Sequence, residues 1–305
     1  MRESKQLFRV LMPMVLAAAA AGCGGGDSGG GGAPAASEGA AAPAAMPFDV
    51  ATAGNVSGMV MFEGTAPAPA AIDMASEATC AAKHTSPPTT EDFKVAGGHL
   101  GDVFIYVRSG PTDGMTFPVP AEAAVIDQSG CQYVPHVTGV QVGQTLTFRN
   151  SDGVLHNVSA SPTVNRPFNI GQPGAVRETN RTLTSPEIMV PLRCQVHGWM
   201  NSFVGVTANP YQAVSSEGGT FDLRNLPPGQ YVVEAWHSRL GTQQQTVTVT
   251  TGQTAQITFT FTQAMIASAV VPMGAPLDPH DHGPVAMGTG STGEHVHGAA
   301  AAAGS

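Results

Sequence analysis

Charge is scarce in this chain: Asp, Glu, Lys and Arg make up 11% of its 305 residues, and 13 basic side chains stand against 22 acidic ones. A formal charge of −9 excludes the basic footprint that nucleic acid requires and favours a neutral or basic protein partner. Helical periodicity is nearly missing, since apolar residues recur at alternate positions rather than every third or fourth, which excludes helical bundles and doubly wound sheets. No P-loop and no H-E-x-x-H pattern occurs, so the phosphate and zinc-protease chemistries those motifs serve are absent, and the chain reads as a non-enzyme. No apolar run approaches the ~18 residues of a spanning helix.

What is present begins with Arg2, Lys5 and Arg9 ahead of an apolar run from Val10 to Ala21, the pattern of an export signal over residues 1–22. Ala20-Ala21-Gly22-Cys23 resembles a bacterial lipobox, which implies lipidation at Cys23 and an anchor in the cell envelope, periplasmic or on the outer surface. Cleavage there removes Arg2, Lys5, Arg9 and Glu3 and takes the formal charge from −9 to −11. Residues 23–53 are mostly Gly, Ala, Pro and Ser without apolar period, which reads as a flexible linker. Residues 264–305 return to low complexity as a His/Ala/Gly-rich tail expected to be disordered. Its pairs His280/His282 and His295/His297 either hold copper or zinc weakly or are incidental.

The chemistry concentrates in Cys194-Gln-Val-His197-Gly-Trp-Met200, which puts a thiol, an imidazole and a thioether in one turn after a strand. Ahead of it Ile188, Val190 and Leu192 alternate with Met189, Pro191 and Arg193, so Cys194 continues the apolar set and its sulfur is expected to point into a core. A second imidazole is available at Asn150-Ser-Asp-Gly-Val-Leu-His156-Asn157, where Val154, His156 and Val158 share a face. A buried Cys or an inward His alone is ordinarily a packing residue. Two His, one Cys and a weak axial Met together are a blue-copper donor set, soft enough to select copper over hard cations.

These two segments resemble the cupredoxins, with a loop spacing like that of amicyanin, over roughly residues 119–209. The resemblance implies a Greek-key sandwich, one type 1 copper held by His156, Cys194, His197 and Met200, and a hydrogen bond from Asn157 near the Cys sulfur. It further implies that electrons pass through His197 as the more exposed imidazole. With Cys194 given to copper and Cys23 to lipid, Cys80 and Cys131 remain and are expected to pair as a disulfide in an oxidising compartment. The alternative is a second metal site of Cys80, His84, Cys131 and His136.

Eight strand candidates lie between 123 and 208, one of them unbroken from Tyr133 to Val140 and another from Val154 to Ala160. Downstream, Gly219-Thr-Phe-Asp-Leu223 and Leu226-Pro-Pro-Gly-Gln-Tyr231 resemble the carboxypeptidase regulatory-like domain, a transthyretin-like sandwich. Its opening strands have counterparts at Gly54 to Val60 and Asp102 to Val107. The expected fold is therefore all-β. A transthyretin-like sandwich, split between 54–118 and 211–263, hosts a cupredoxin domain at 119–210; the competing arrangement is an extended cupredoxin followed by a separate C-terminal domain. The function these features imply is one-electron transfer with a redox protein in the envelope. The rivals are copper storage or delivery, and a surface binding module in which copper is structural.

Overall fold

A computed structural model describes residues 46–267; the expected signal, Cys23 and the tail His pairs lie outside the described residues. Strands make up nearly all of its regular secondary structure: β1 (Gly54–Glu63), β2 (Val95–Ala96), β3 (His99–Leu100), β4 (Phe104–Ser109), β5 (Ala124–Ser129), β6 (Gln132–Val134), β7 (Val137–Gln141), β8 (Thr145–Asn150), β9 (His156–Ala160), β10 (Phe168–Gln172), β11 (Glu178–Thr182), β12 (Glu187–Arg193), β13 (Asn201–Thr207), β14 (Gln212–Val214), β15 (Thr220–Leu226), β16 (Gly229–His237), β17 (Gly241–Val249) and β18 (Thr254–Thr262). Among the described residues the helical content is one four-residue turn, α1 (Ala78–Ala81), and two short 3-10 segments.

The all-β expectation holds, and strands from opposite ends of the described chain share sheets. β1 pairs in parallel with β18 from Asn55↔Thr254 to Glu63↔Thr262 and antiparallel with β15. A second sheet runs β14-β4-β16-β17. Alternation turns Val56, Val60 and Phe62 of β1 into one core with Phe221, Leu223, Ile105, Val233, Phe259 and Phe261. The residues between fill two other sheets, β10-β9-β12-β13-β7 and β11-β8-β5-β6. Non-consecutive neighbours there show the chain crossing between sheets, as a Greek key does. The chain leaves this first sandwich after β4 and returns as β14, which pairs with β4 itself. The two ends of the intervening segment thus meet at one place, the geometry that makes an insertion cheap.

Between the sandwiches lies a small third cluster around Phe104, Tyr106, Val137 and Met189, with Phe203 against Trp236 at 5.1 Å. Gly139 and Gly205 are register partners on β7 and β13, and a Cβ at Gly205 would overlap the Phe104 ring. Close approach is what requires glycine at this position.

Two strand expectations are corrected. Tyr133 to Val140 divides into β6 and β7 at Pro135, which has no N–H to give a ladder. The strand expected from Val154 begins only at His156. Within β12 the register shifts between Glu187 and Val190. Ile188 consequently leaves the inward set and packs at the inter-sandwich cluster, while Val190, Leu192 and Cys194 face the second sandwich's core as expected.

Candidate metal centre

Cys194 lies one residue beyond β12, and the turn that follows folds back on it. The Cys194 N–H donates to the Met200 carbonyl at 3.1 Å, the Met200 N–H donates to the His197 carbonyl at 3.0 Å, and the His197 N–H points at Cys194 Sγ at 3.3 Å. His156 opens the neighbouring strand β9. The preceding loop is shaped by Asn150, whose side chain donates to the Val154 and Gln172 carbonyls and accepts from the Asp152 and Gly153 N–H groups, an Asx turn with added long-range bonds.

These folds bring three donor atoms together. His156 Nδ1 lies 3.0 Å from His197 Nδ1, which lies 3.8 Å from Cys194 Sγ. The three ligand atoms fall within 4.8 Å of one another. His156 is 0%, His197 2%, Cys194 3% and Met200 2% exposed; Met200 belongs to the same apolar cluster as Cys194. Atoms held about 2.0–2.3 Å from a common ion are spaced in this way, and thiol, thioether and imidazole suit copper. The residues present fit the metal.

The surroundings tune each donor. Burial pushes the Cys194 thiol up, but hydrogen bonding from His156 and from the N–H groups of His197, Val196 and Asn157 outweighs it and holds the thiol below its ordinary range. Burial and the neighbouring His156 lower His197. For His156 burial lowers and hydrogen bonding to Asp152 and Cys194 raises, and the net is upward. His156 Nε2 sits 2.9 Å from Asp152 Oδ2, so Nε2–H donates to the carboxylate and Nδ1 is turned toward the sulfur. Asp152 is opposed by burial but held down to about 2 by His156, the Cys131 N–H, Lys83 and the Gly130 N–H.

Asn157 accepts at Oδ1 from the Gln195 N–H at 3.2 Å, pinning the residue beside Cys194, while its own backbone N–H reaches the sulfur. Cys80 and Cys131 are joined as a disulfide, 51 residues apart in sequence. His84 meets the Gly130 carbonyl at 2.7 Å and His136 the Asn201 carbonyl at 3.2 Å. The alternative metal site built from these four therefore does not form. His197 is the more exposed imidazole only by 2% against 0%, because Cys80 Sγ stands 3.6 Å from its Nε2 and covers it. Asp152 and this cover were missed from sequence. Asp152 was legible as an acid one turn before His156; the cover comes from a distant segment and leaves no local signal.

Residues 202–262 match the model of the carboxypeptidase regulatory-like domain. The matched region starts inside β13, which pairs with β12 and β7, and runs to the end of β18. Among solved structures the chain is similar to a reduced amicyanin mutant (26% identity, 29% of this chain, 85% of that one, TM-score 0.26). It is also similar to a purple cupredoxin from Nitrosopumilus maritimus (21%, 28% and 99%, 0.24) and to a copper-containing nitrite reductase from Thermus scotoductus (20%, 33% and 27%, 0.25). A search of curated proteins finds no match.

Proposed function

We propose that the chain is a type 1 copper protein that carries single electrons in the cell envelope, with His156, Cys194 and His197 as equatorial ligands and Met200 as the weak axial one. The observation that carries this reading is the convergence of two Nδ1 atoms and a cysteine sulfur, all buried and within 4.8 Å of one another. Copper bound there would supply a one-electron couple. The protein's part is to fix the donors before the metal changes oxidation state: Asp152 sets the His156 tautomer, backbone N–H groups hydrogen-bond the sulfur and favour its ionised form, and Asn157 locks the loop.

Burial supports a carrier over an enzyme and over a copper donor. A substrate or an exchanging ion needs an open ligand edge, whereas an electron does not, and each proposed ligand is 3% exposed or less. We further read Cys23 as the lipid anchor and the redox partner as a neutral or basic protein, given the chain's acidic balance. Titration with Cu(II) tests the core of this reading. One equivalent should produce the intense visible thiolate-to-copper band, and Cys194→Ser should lose it while keeping the β-sheet circular dichroism; a variant that kept the band would remove Cys194 as ligand.

A further inference from the structure

His197 presents Nδ1 to Cys194 and His156, and its other nitrogen faces the Cys80–Cys131 disulfide. That disulfide belongs to a strap over residues 72–84, in the long connection between β1 and β2 of the first sandwich, laid across the metal end of the second. Ile72, Met74 and Cys80 enter the second sandwich's core. Lys83 Nζ pairs with Asp152 Oδ1 at 3.2 Å, and His84 Nε2 meets the Gly130 carbonyl. The strap thus grips the same carboxylate that orients His156. It leaves the proposed ligands without a solvent edge.

One ring in contact with this buried set still reaches the surface. Trp199 lies 5.2 Å from His197, centroid to centroid and tilted by 39°, and its Nε1 donates to the Cys131 carbonyl at 2.9 Å. It is only partly buried, and its loop neighbours Val196 and Gly198 are exposed. We propose that the disulfide strap seals the His197 face of the site and that the Trp199 ring edge is the port through which electrons are exchanged. The inference rests on the copper reading above. In the step one electron leaves a reduced one-electron reagent, which is oxidised by one unit, and the site is reduced by one; no bond is made or broken and no proton moves. The π system in contact with His197 shortens the gap that the electron must cross without covalent help.

The test compares full-length, copper-loaded wild type with Trp199→Leu, Trp199→Phe and the pair Cys80→Ala/Cys131→Ala. It follows reduction by a small one-electron complex such as hexacyanoferrate(II), electron self-exchange, the visible band, the midpoint potential and copper uptake by metal-free protein. Trp199→Leu should slow both electron rates by about tenfold, ~1.4 kcal/mol in the barrier, with band, potential and uptake unchanged. Trp199→Phe should recover most of the loss. Opening the cap should speed copper uptake and restore electron rates in the Trp199→Leu background, because His197 then meets solvent directly. Should the disulfide variant not fold, Lys83→Ala/His84→Ala loosens the same strap and takes its place. Equal rates in Trp199→Leu and wild type would overturn the proposal and move the port to the exposed Gln195 beside Cys194. Wild type that gave no thiolate-to-copper band would instead sink the copper reading, whatever the Trp199 variants did.

Discussion

His156 and His237 are both buried, at 0% and 2% exposure, and they sit in opposite chemistry. His237, at the end of β16 in the first sandwich, lies among aromatic rings, 5.6 Å from Phe93 and 6.2 Å from Phe261. Its Nδ1 accepts the Arg239 N–H at 3.1 Å, and burial, with His136 and Arg239 nearby, lowers its pKa to about 3. His156, in the second sandwich, has a carboxylate behind it and a thiol in front. Burial alone makes a neutral imidazole that closes a turn. Burial between an acid and a sulfur makes one whose free nitrogen is aimed, and that aim is what a metal can use.

The largest expected effect breaks the comparison at its centre. His156→Leu should abolish the visible band of the copper-loaded protein and its tight copper binding, because it removes a donor that no neighbour replaces. His237→Leu should leave both intact and register only in stability. Equal spectra for wild type and His156→Leu would show that His156 is no more a metal donor than His237. A milder change sharpens the contrast: Asp152→Asn keeps His156 but removes the charge behind it, and loss of such an outer partner lowers metal affinity about 10–100-fold. Competition with a chelator of known affinity measures this, and affinity within twofold of wild type would leave Asp152 as a mere anchor for Lys83.

How far this was legible from sequence follows from where each contact originates. Cys194, His197 and Met200 lie in one seven-residue turn, so spacing alone places them, and alternation through Val190 and Leu192 points the sulfur inward. His156 needed only a strand face. The disulfide partner atoms were identifiable by counting thiols, but not where they would sit: Cys80 rests on His197 only because a connection without apolar period is laid across the far sandwich. The phase of Ile188 was misjudged for a related reason, since a bulge is set by what β12 pairs with rather than by its own residues. Gly139 and Gly205 carry no sequence signal of their use, which appears only with Phe104 packed on top.

That contact asks whether the two regions depend on each other. Gly205→Val would push a branched side chain into the Phe104 ring, and overpacking of this kind costs about 1–3 kcal/mol. Denaturant unfolding should show the loss, with the colour of the copper-loaded native protein unchanged. A shifted visible band would mean that the inter-sandwich contact also shapes the donor set.

The smallest effect near neutral pH isolates His237. Its folded pKa is lowered to about 3 from an ordinary value of 6.5, so below 6.5 the unfolded chain binds a proton that the folded chain refuses. For a base lowered on folding, stability is complete above 6.5 and is lost as the pH falls toward the folded value. The slope approaches about 1.4 kcal/mol per pH unit once the pH is well below 6.5. Leucine at this position cannot titrate, although it leaves the Arg239 N–H without its acceptor and so changes absolute stability as well. The informative quantity is therefore the slope: denaturant unfolding of metal-free wild type and His237→Leu between pH 7.5 and 5.0 should give curves that diverge in pH dependence, the wild type falling more steeply. Parallel curves would show that His237 takes up a proton in the folded state about as readily as in the unfolded one, and the distinction between a packing histidine and an aimed one would then have to rest on His156 alone.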